Sequence, residues 1–303
     1  MEVWKRFKSD KLGMFSLIVL IFIFLVGIFS RQLAPNDPTA IDVANKYAGF
    51  SSEYPLGTDQ LGRCVLSRLM YGAKTTLIIS LITMIWTIGI GGILGLISGF
   101  FRGWVDEVIM RICDIMLSFP SEVMILSIVG ILGIGVKNIV IATVLAKWAW
   151  YCRMIRSIVI QYTDSNYIRF AKVSGCSHYH IITKHILPMT MGEIAVLATL
   201  DMGGIILNIS ALSFLGLGVQ APTAEWGMML NEAKSVITIY PELMLVPGLA
   251  ILTTVALMEE MNLNVASEYL IMAAELLEIK SSKSTSIFKP EKSNPLKSTF
   301  FSL

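Results

Sequence analysis

Residues 12–29 read LGMFSLIVLIFIFLVGIF, an apolar run of 18 residues without a charged side chain. A helix needs about 20 such residues to cross the ~30 Å hydrocarbon core of a bilayer. A helix also satisfies its own backbone N–H and C=O groups there, where no water can. Lys5, Arg6, Lys8 and Lys11 precede the run, and SRQLAPNDP follows it. The basic flank imitates a secretory signal. The run is long for a signal core, however, and no small-x-small cleavage site follows it. We therefore expect an uncleaved first transmembrane helix with its basic end inside.

Composition agrees. Of 303 residues, 54 % are hydrophobic and 15 % charged, against about 25 % charged in a soluble domain. A net charge of +2 names no partner, and nothing in the sequence points to nucleic acid. The four cysteines, 64, 113, 152 and 176, have no CxxC spacing, and only Cys64 would face outward, so no structural disulfide is expected.

Residues 30–74 form a polar loop, and a second span is expected over about 76–101. Gly91, Gly95 and Gly99, four residues apart, put small residues on one helical face, which lets another backbone approach closely. EVIMRICDIMLSFP (107–120) reads as an amphipathic helix interrupted by Pro120, with a third span continuing to about Gly135. A fourth span follows to about Tyr151, a polar stretch occupies 152–192, and a fifth span covers 193–217. The last apolar run, 243–257, has 15 residues. That is about 22 Å of helix, short for a crossing. Six spans would place both chain ends and the 152–192 loop inside. Before the tail, the inside segments hold ten Lys/Arg and the outside segments seven, a bias in the same direction.

RFAKVSGCSHYHIITKHILP (169–188) holds all three histidines, His178, His180 and His185. Their spacings of two and five differ from the i,i+3 or i,i+4 that places two ligands on one α-helical face, so no metal site is expected. No nucleophile motif is present either. SNYIRFAKVSG reads as a short helix stopped by Gly175, and HYHIITKHILP as a second one ended before Pro188. Ile168 and Ala171 can share a face of the first, and Ile181, Ile182 and Ile186 a face of the second. Two short amphipathic helices on one loop make a docking surface for a protein partner.

The spacing of Ala171, Gly175, Ile181, His185, Leu187 and Pro188 resembles the cytoplasmic EAA loop of ABC-importer permeases, in the branch that imports dipeptides, oligopeptides and nickel. YPLGTDQLGRCVLSRLMYGAKTTL (54–77), GWVDEVIMRICDIMLSFPSEV (103–123) and LSFLGLGVQAPTAEWGMML (212–230) resemble the same family in order. KWAWYCRMIRS (147–157) and VLATLDMGGIILNIS (196–210) look most like its nickel or metallophore members. The resemblance implies an all-α integral membrane protein with six transmembrane helices and a cytoplasmic coupling loop, in the cytoplasmic membrane. It implies a second permease subunit, two cytoplasmic ATPases seated on the loop, and an extracellular solute-binding protein. ATP and Mg would be bound by the ATPases and no cofactor by this chain. The sequence agrees on one point independently: it has no GxxxxGK[ST] phosphate loop. Three positions depart from the family. Arg169 and Phe170 stand where the EAA box has Glu and its first Ala, and Cys64 stands where Asp commonly follows GR.

The implied coupling residues are Arg169, Ala171, Gly175, Ile181, His185 and Pro188. Asp201 falls inside the fifth span, where a carboxylate is costly and faces a cavity or a partner. Either it lines the translocation path, with Asn208, and favours a cationic cargo, or it pairs internally with Lys147 or caps a packed turn. The loop 218–242, with Glu225 and Trp226, is a candidate extracellular gate or seat for the binding protein. The 17 methionines lack a Met-x-x-Met cluster and read as lipid-facing or core filler.

The chain thus divides into 1–75, a permease core over 76–257, and an atypical tail over 258–303. Residues 258–280 have three-and-four apolar spacing and resemble a short segment of the bacterial chromosome-segregation kleisin ScpA family. The Ser- and Lys-rich remainder reads as disordered. The reading is an importer permease for nickel or a metal–chelator complex. Alternatives are a dipeptide or oligopeptide permease, or a degenerate permease that acts only as a membrane docking subunit.

Overall fold

The computed structural model describes residues 11–261, and they are built from helices and loops. Helix α1 is Lys11–Ile28, α2 Val65–Phe101, α3 Gly103–Leu117, α4 Ser121–Leu132, α5 Val136–Thr163 and α6 Asn166–Val173. Helix α7 runs over His178–Phe214, α8 over Trp226–Ala233 and α9 over Glu242–Met261.

Among the described residues, α1, α2, α7 and α9 are each long and apolar enough to cross a membrane. The pair α3 and α4 qualifies as a fifth, bent by 85°. The bend has a local cause. Pro120 caps α4 at φ −58° and ψ 130°, outside the helical region, so the chain turns over Ser118–Pro120. Phe15, Ile18 and Phe22 on α1 are each about 60 % exposed. An apolar belt of this kind is made for lipid or another subunit, since a soluble monomer rarely exposes a contiguous one.

The closest packing is between α2 and α5, along the glycine stripe. A Cβ on Gly91 would lie 2.7 Å from the Trp148 carbonyl oxygen, and one on Gly95 2.7 Å from that of Cys152. On Gly99 it would lie 2.9 Å from the Val159 side chain. The stripe therefore serves helix packing, as its spacing predicts. Arg156 on α5 adds a charged brace to α3, with Nε and Nη2 each 2.5 Å from the Asp106 carboxylate.

Several boundaries differ from expectation. Helix α2 begins at Val65 rather than near residue 76, because the polar residues Ser67 and Arg68 find buried partners and do not end it. Helix α5 runs through the polar stretch to Thr163, so the loop begins later than residue 152. Its charged and aromatic turns keep it below the apolar threshold for a crossing met by α1, α2, α7 and α9.

Pro188 does not end the second loop helix. The backbone widens to a π-turn over Ile182–Ile186, the Leu187 N–H donates to the Ile182 carbonyl, and the helix continues to Phe214. A π-turn frees the carbonyl that proline can neither pair with nor pack against. The final apolar run keeps its 15 residues, but the helix that carries it is longer: α9 has 20, about 30 Å, enough to cross. Of the tail, residues 258–261 continue α9, and the expected 258–280 helix otherwise lies outside the described residues.

Candidate functional site

Three places hold the residues singled out by the sequence. The first is the α6–α7 loop. Helix α6 ends in a Schellman motif: the Cys176 N–H donates to the Ala171 carbonyl and the Gly175 N–H to the Lys172 carbonyl. Gly175 has φ +80° with nothing within 4 Å of a virtual Cβ, so glycine is needed there for its backbone alone. Ser177 caps the next helix, accepting from the His180 N–H at 3.3 Å.

The apolar faces of these helices point into the helical bundle. Ile168, Ile181 and Ile186 are fully buried in its main core, and Ala171 packs against them. Those faces are therefore covered within the protein itself. The outward side instead presents Phe170, Val173 and Tyr179 at 73, 87 and 78 % exposure, beside Arg169, Lys172 and Lys184. The loop is pinned to the end of α2. Lys172 Nζ lies 4.9 Å from the Phe100 ring centre, and the His178 ring meets Phe100 and Phe101 edge-on at 5.5 and 5.6 Å.

Arg169 is half of a small charge relay. Asp164 accepts from Arg102 Nη2 at 2.8 Å and lies 3.9 Å from Arg169 Nη2. His180 and His185, five apart, stand with ring centres 5.6 Å from each other, because the wider π-turn aligns i and i+5. Among the described residues, no group of three or more His, Cys, Asp or Glu is arranged to hold a metal ion. Pro188 is exposed at the start of the continued helix.

The second place is a cavity of about 280 Å³ at the bend between α3 and α4, walled on its far side by α5 and α7. Its lining includes Leu117, Phe119, Ser121, Lys147, Trp150 and Asp201. Lys147 Nζ donates to both Asp201 oxygens, at 3.2 and 3.1 Å, and the Tyr151 hydroxyl donates to Asp201 Oδ2 at 2.8 Å. Internal pairing and a place on a cavity wall, set against each other in the sequence reading, thus occur together. Asn208 is seven residues on, two turns along the same face of α7 and half-buried.

The third place is the segment after α7. Glu225 is fully buried and caps α8, accepting from the Met228 N–H at 2.8 Å. It also accepts from the hydroxyls of Thr76 at 3.0 Å and Ser210 at 3.2 Å. The Trp226 indole N–H donates to the Leu69 carbonyl at 3.0 Å, and its ring is 2 % exposed. Both side chains tie α8 to α2 and α7. Both are packed inside the protein.

A charged quartet beside them was missed by sequence reasoning. Arg63 bridges Asp59 at 2.7 Å and Glu232 at 2.9 Å, and Arg68 reaches Glu232 at 2.6 Å; both arginines are 1 % exposed. The signal was present as Asp59, Arg63 and Arg68 in close alternation, but their acidic partner Glu232 is 164 residues from Arg68.

Among the described residues these features define a helical membrane protein with several helices apolar enough to cross a bilayer, a compact loop presenting a basic and apolar face, and a charged pair on a cavity between helices. The chain belongs to the family described as the binding-protein-dependent transport system inner membrane component, matched over residues 91–266, the permease subunits of ABC importers. Residues 1–49 match the N-terminal TM domain of oligopeptide transport permease C.

Among relatives, the metal-staphylopine import system permease protein CntC of Staphylococcus aureus (strain Mu50 / ATCC 700699) is 44 % identical over 255 residues, covering 84 % of this chain and 88 % of that protein. The nickel transport system permease protein NikC of Escherichia coli (strain K12) is 37 % identical over 240 residues, 79 % of this chain and 87 % of that protein. The dipeptide transport system permease protein DppC of Alkalihalophilus pseudofirmus is 38 % identical over 254 residues, 84 % of each chain. The chain is a transport subunit and not an enzyme; ATP hydrolysis in such importers lies in separate subunits.

Proposed function

We propose that this permease passes nickel or a metal–chelator complex across the cytoplasmic membrane, by alternating access with a second permease subunit. The observation that carries the cargo assignment is the 44 % identity over 84 % of the chain to a metal-staphylopine import permease. The dipeptide permease at 38 % identity supports a second reading, import of short peptides. The 20-residue length of α9 weighs against a subunit reduced to docking by a truncated last crossing.

In this reading the N-terminus is inside, and α1, α2, the bent α3–α4 pair, α5, α7 and α9 make six crossings. Helix α5 is the crossing that hydropathy alone does not mark, because it carries Lys147 and the arginines that brace α3. The loop 164–188 then faces the cytoplasm, where two ATPases seat on it, and the segment of Glu225 and Trp226 lies on the outer side, facing a solute-binding protein. ATP and Mg belong to the ATPases.

Uptake in a strain lacking this chain tests the assignment. We expect accumulation of chelated radioactive nickel to fall and growth on dipeptides to be unchanged. Loss of dipeptide use with normal nickel accumulation would select the second reading instead.

A further inference from the structure

We propose that the cavity at the α3–α4 bend is a subsite on the cargo path for a carboxylate-bearing, zwitterionic solute, with Lys147 as the group that receives the carboxylate. The proposal rests on the importer reading and narrows it, since a bare divalent cation is then not what this site takes.

Charge accounting leads there. Asp201 is the carboxylate that would attract a cation, and its oxygens already accept three hydrogen bonds, two from Lys147 and one from Tyr151. A cation entering the cavity would have to displace an ammonium from both of them. Lys147 is less committed. An ammonium has three N–H donors, and two are directed at Asp201. Its side chain is 15 % exposed, on the wall of a cavity of about 280 Å³.

Asp201 thus acts as a positioning residue, holding the lysine in place on the cavity wall. The rest of the cavity suits the body of a small organic solute. Phe119 and Trp150 supply apolar wall, and Ser121 a hydroxyl. Next to the lining Ser121, exposed Glu122 accepts from the Ser121 hydroxyl at 2.9 Å, a place for the positive end of the same solute. A few placed polar groups on an apolar wall are the usual make-up of a small-molecule site. A metal complex of an amino-carboxylate chelator and a short peptide both carry this chemistry.

The test uses the full importer with its partner subunits in cells. The metal probes are nickel aqua ion, nickel iminodiacetate and nickel iminodiacetamide, the last two differing in carboxylate against amide. Glycylalanine and its amide form the peptide arm, which tells the two sources apart. We expect Lys147→Gln to lower uptake of the carboxylate form by about tenfold, equivalent to about 1.4 kcal/mol, with little change for the amide form. Lys147→Arg should keep the preference for carboxylate. Should Lys147→Gln fail to assemble, the double variant Lys147→Gln/Asp201→Asn, which removes both charges, should assemble and lose the preference.

Equal loss for both forms in Lys147→Gln would overturn the proposal, making the lysine a structural support only. Faster nickel aqua ion uptake in Lys147→Gln, with loss in Asp201→Asn, would overturn it in favour of cation attraction by Asp201. A double variant that keeps the preference would overturn it too. Wild-type importer that moves neither nickel nor peptide in any form would remove the importer reading itself, a different failure from an importer that works and ignores Lys147.

Discussion

Gly175 shows how much one residue decides. Its φ of +80° closes α6 and lets the chain restart at Ser177. A side chain there meets no neighbour, so the cost of Gly175→Ala is backbone strain of about 1–2 kcal/mol. Proline is worse, since it fixes φ near −65° and removes the N–H that pairs with Lys172. We expect Gly175→Ala to weaken and Gly175→Pro to abolish transport while both variants still insert, read out by cross-linking of the loop to the ATPases alongside uptake. Normal uptake by the proline variant would count against a coupling role.

Nearby, the hydrogen bond from Arg102 holds the Asp164 carboxyl below its ordinary value. A carboxyl depressed in the folded state contributes above its unfolded pKa and loses that contribution as pH falls through the folded one. Cross-linking of the loop should therefore be flat through the neutral range and fall only in acid. Asp164→Asn should lower the neutral plateau and remove that acid limb. Arg169 also leans on Asp164, at 3.9 Å.

Elements were legible where one strong local pattern governs them. The apolar run of α1 and the Gly91, Gly95 and Gly99 stripe of α2 are read correctly because lipid and backbone contact act on every turn. We expect Gly95→Val to separate α2 from α5 at a cost of about 1–3 kcal/mol, seen as a lower melting temperature of the solubilised protein and poor yield. Glu225→Ala should cost a similar amount, about 1–3 kcal/mol, because three buried donors lose their acceptor. Glu225→Gln should recover part of it, by the same melting measurement. Elements were misread where a local rule met tertiary structure. Pro188 reads as a stop, yet a π-turn carries the helix past it. Arg153 and Arg156 of α5 fall in the stretch read as loop, yet Asp114 and Asp106 of α3 pair with them.

At the scale of the molecule, the membrane class and the family were legible, because composition and ordered motifs are carried along most of the chain. The candidate site was legible only in part. Asp201 drew attention as a charge in an apolar run, and Lys147 as a possible partner. What the sequence could not show is that the pair shares a wall with the residues of the α3–α4 bend, since those groups are brought together from positions 54 and about 80 residues apart. The orientation of the loop's apolar faces was hidden for the same reason: amphipathicity says that a face is covered, and not by what.

The central claim is that this chain is the membrane passage of a binding-protein-dependent importer for a metal carried by a carboxylate chelator. Its most direct measurement is accumulation of radioactive nickel iminodiacetate in a strain lacking the chain and in the same strain with the chain restored. The account predicts that accumulation falls on deletion and returns with the wild-type chain but not with Gly175→Pro. Accumulation unchanged by deletion, with the partner subunits present and assembled, would contradict it.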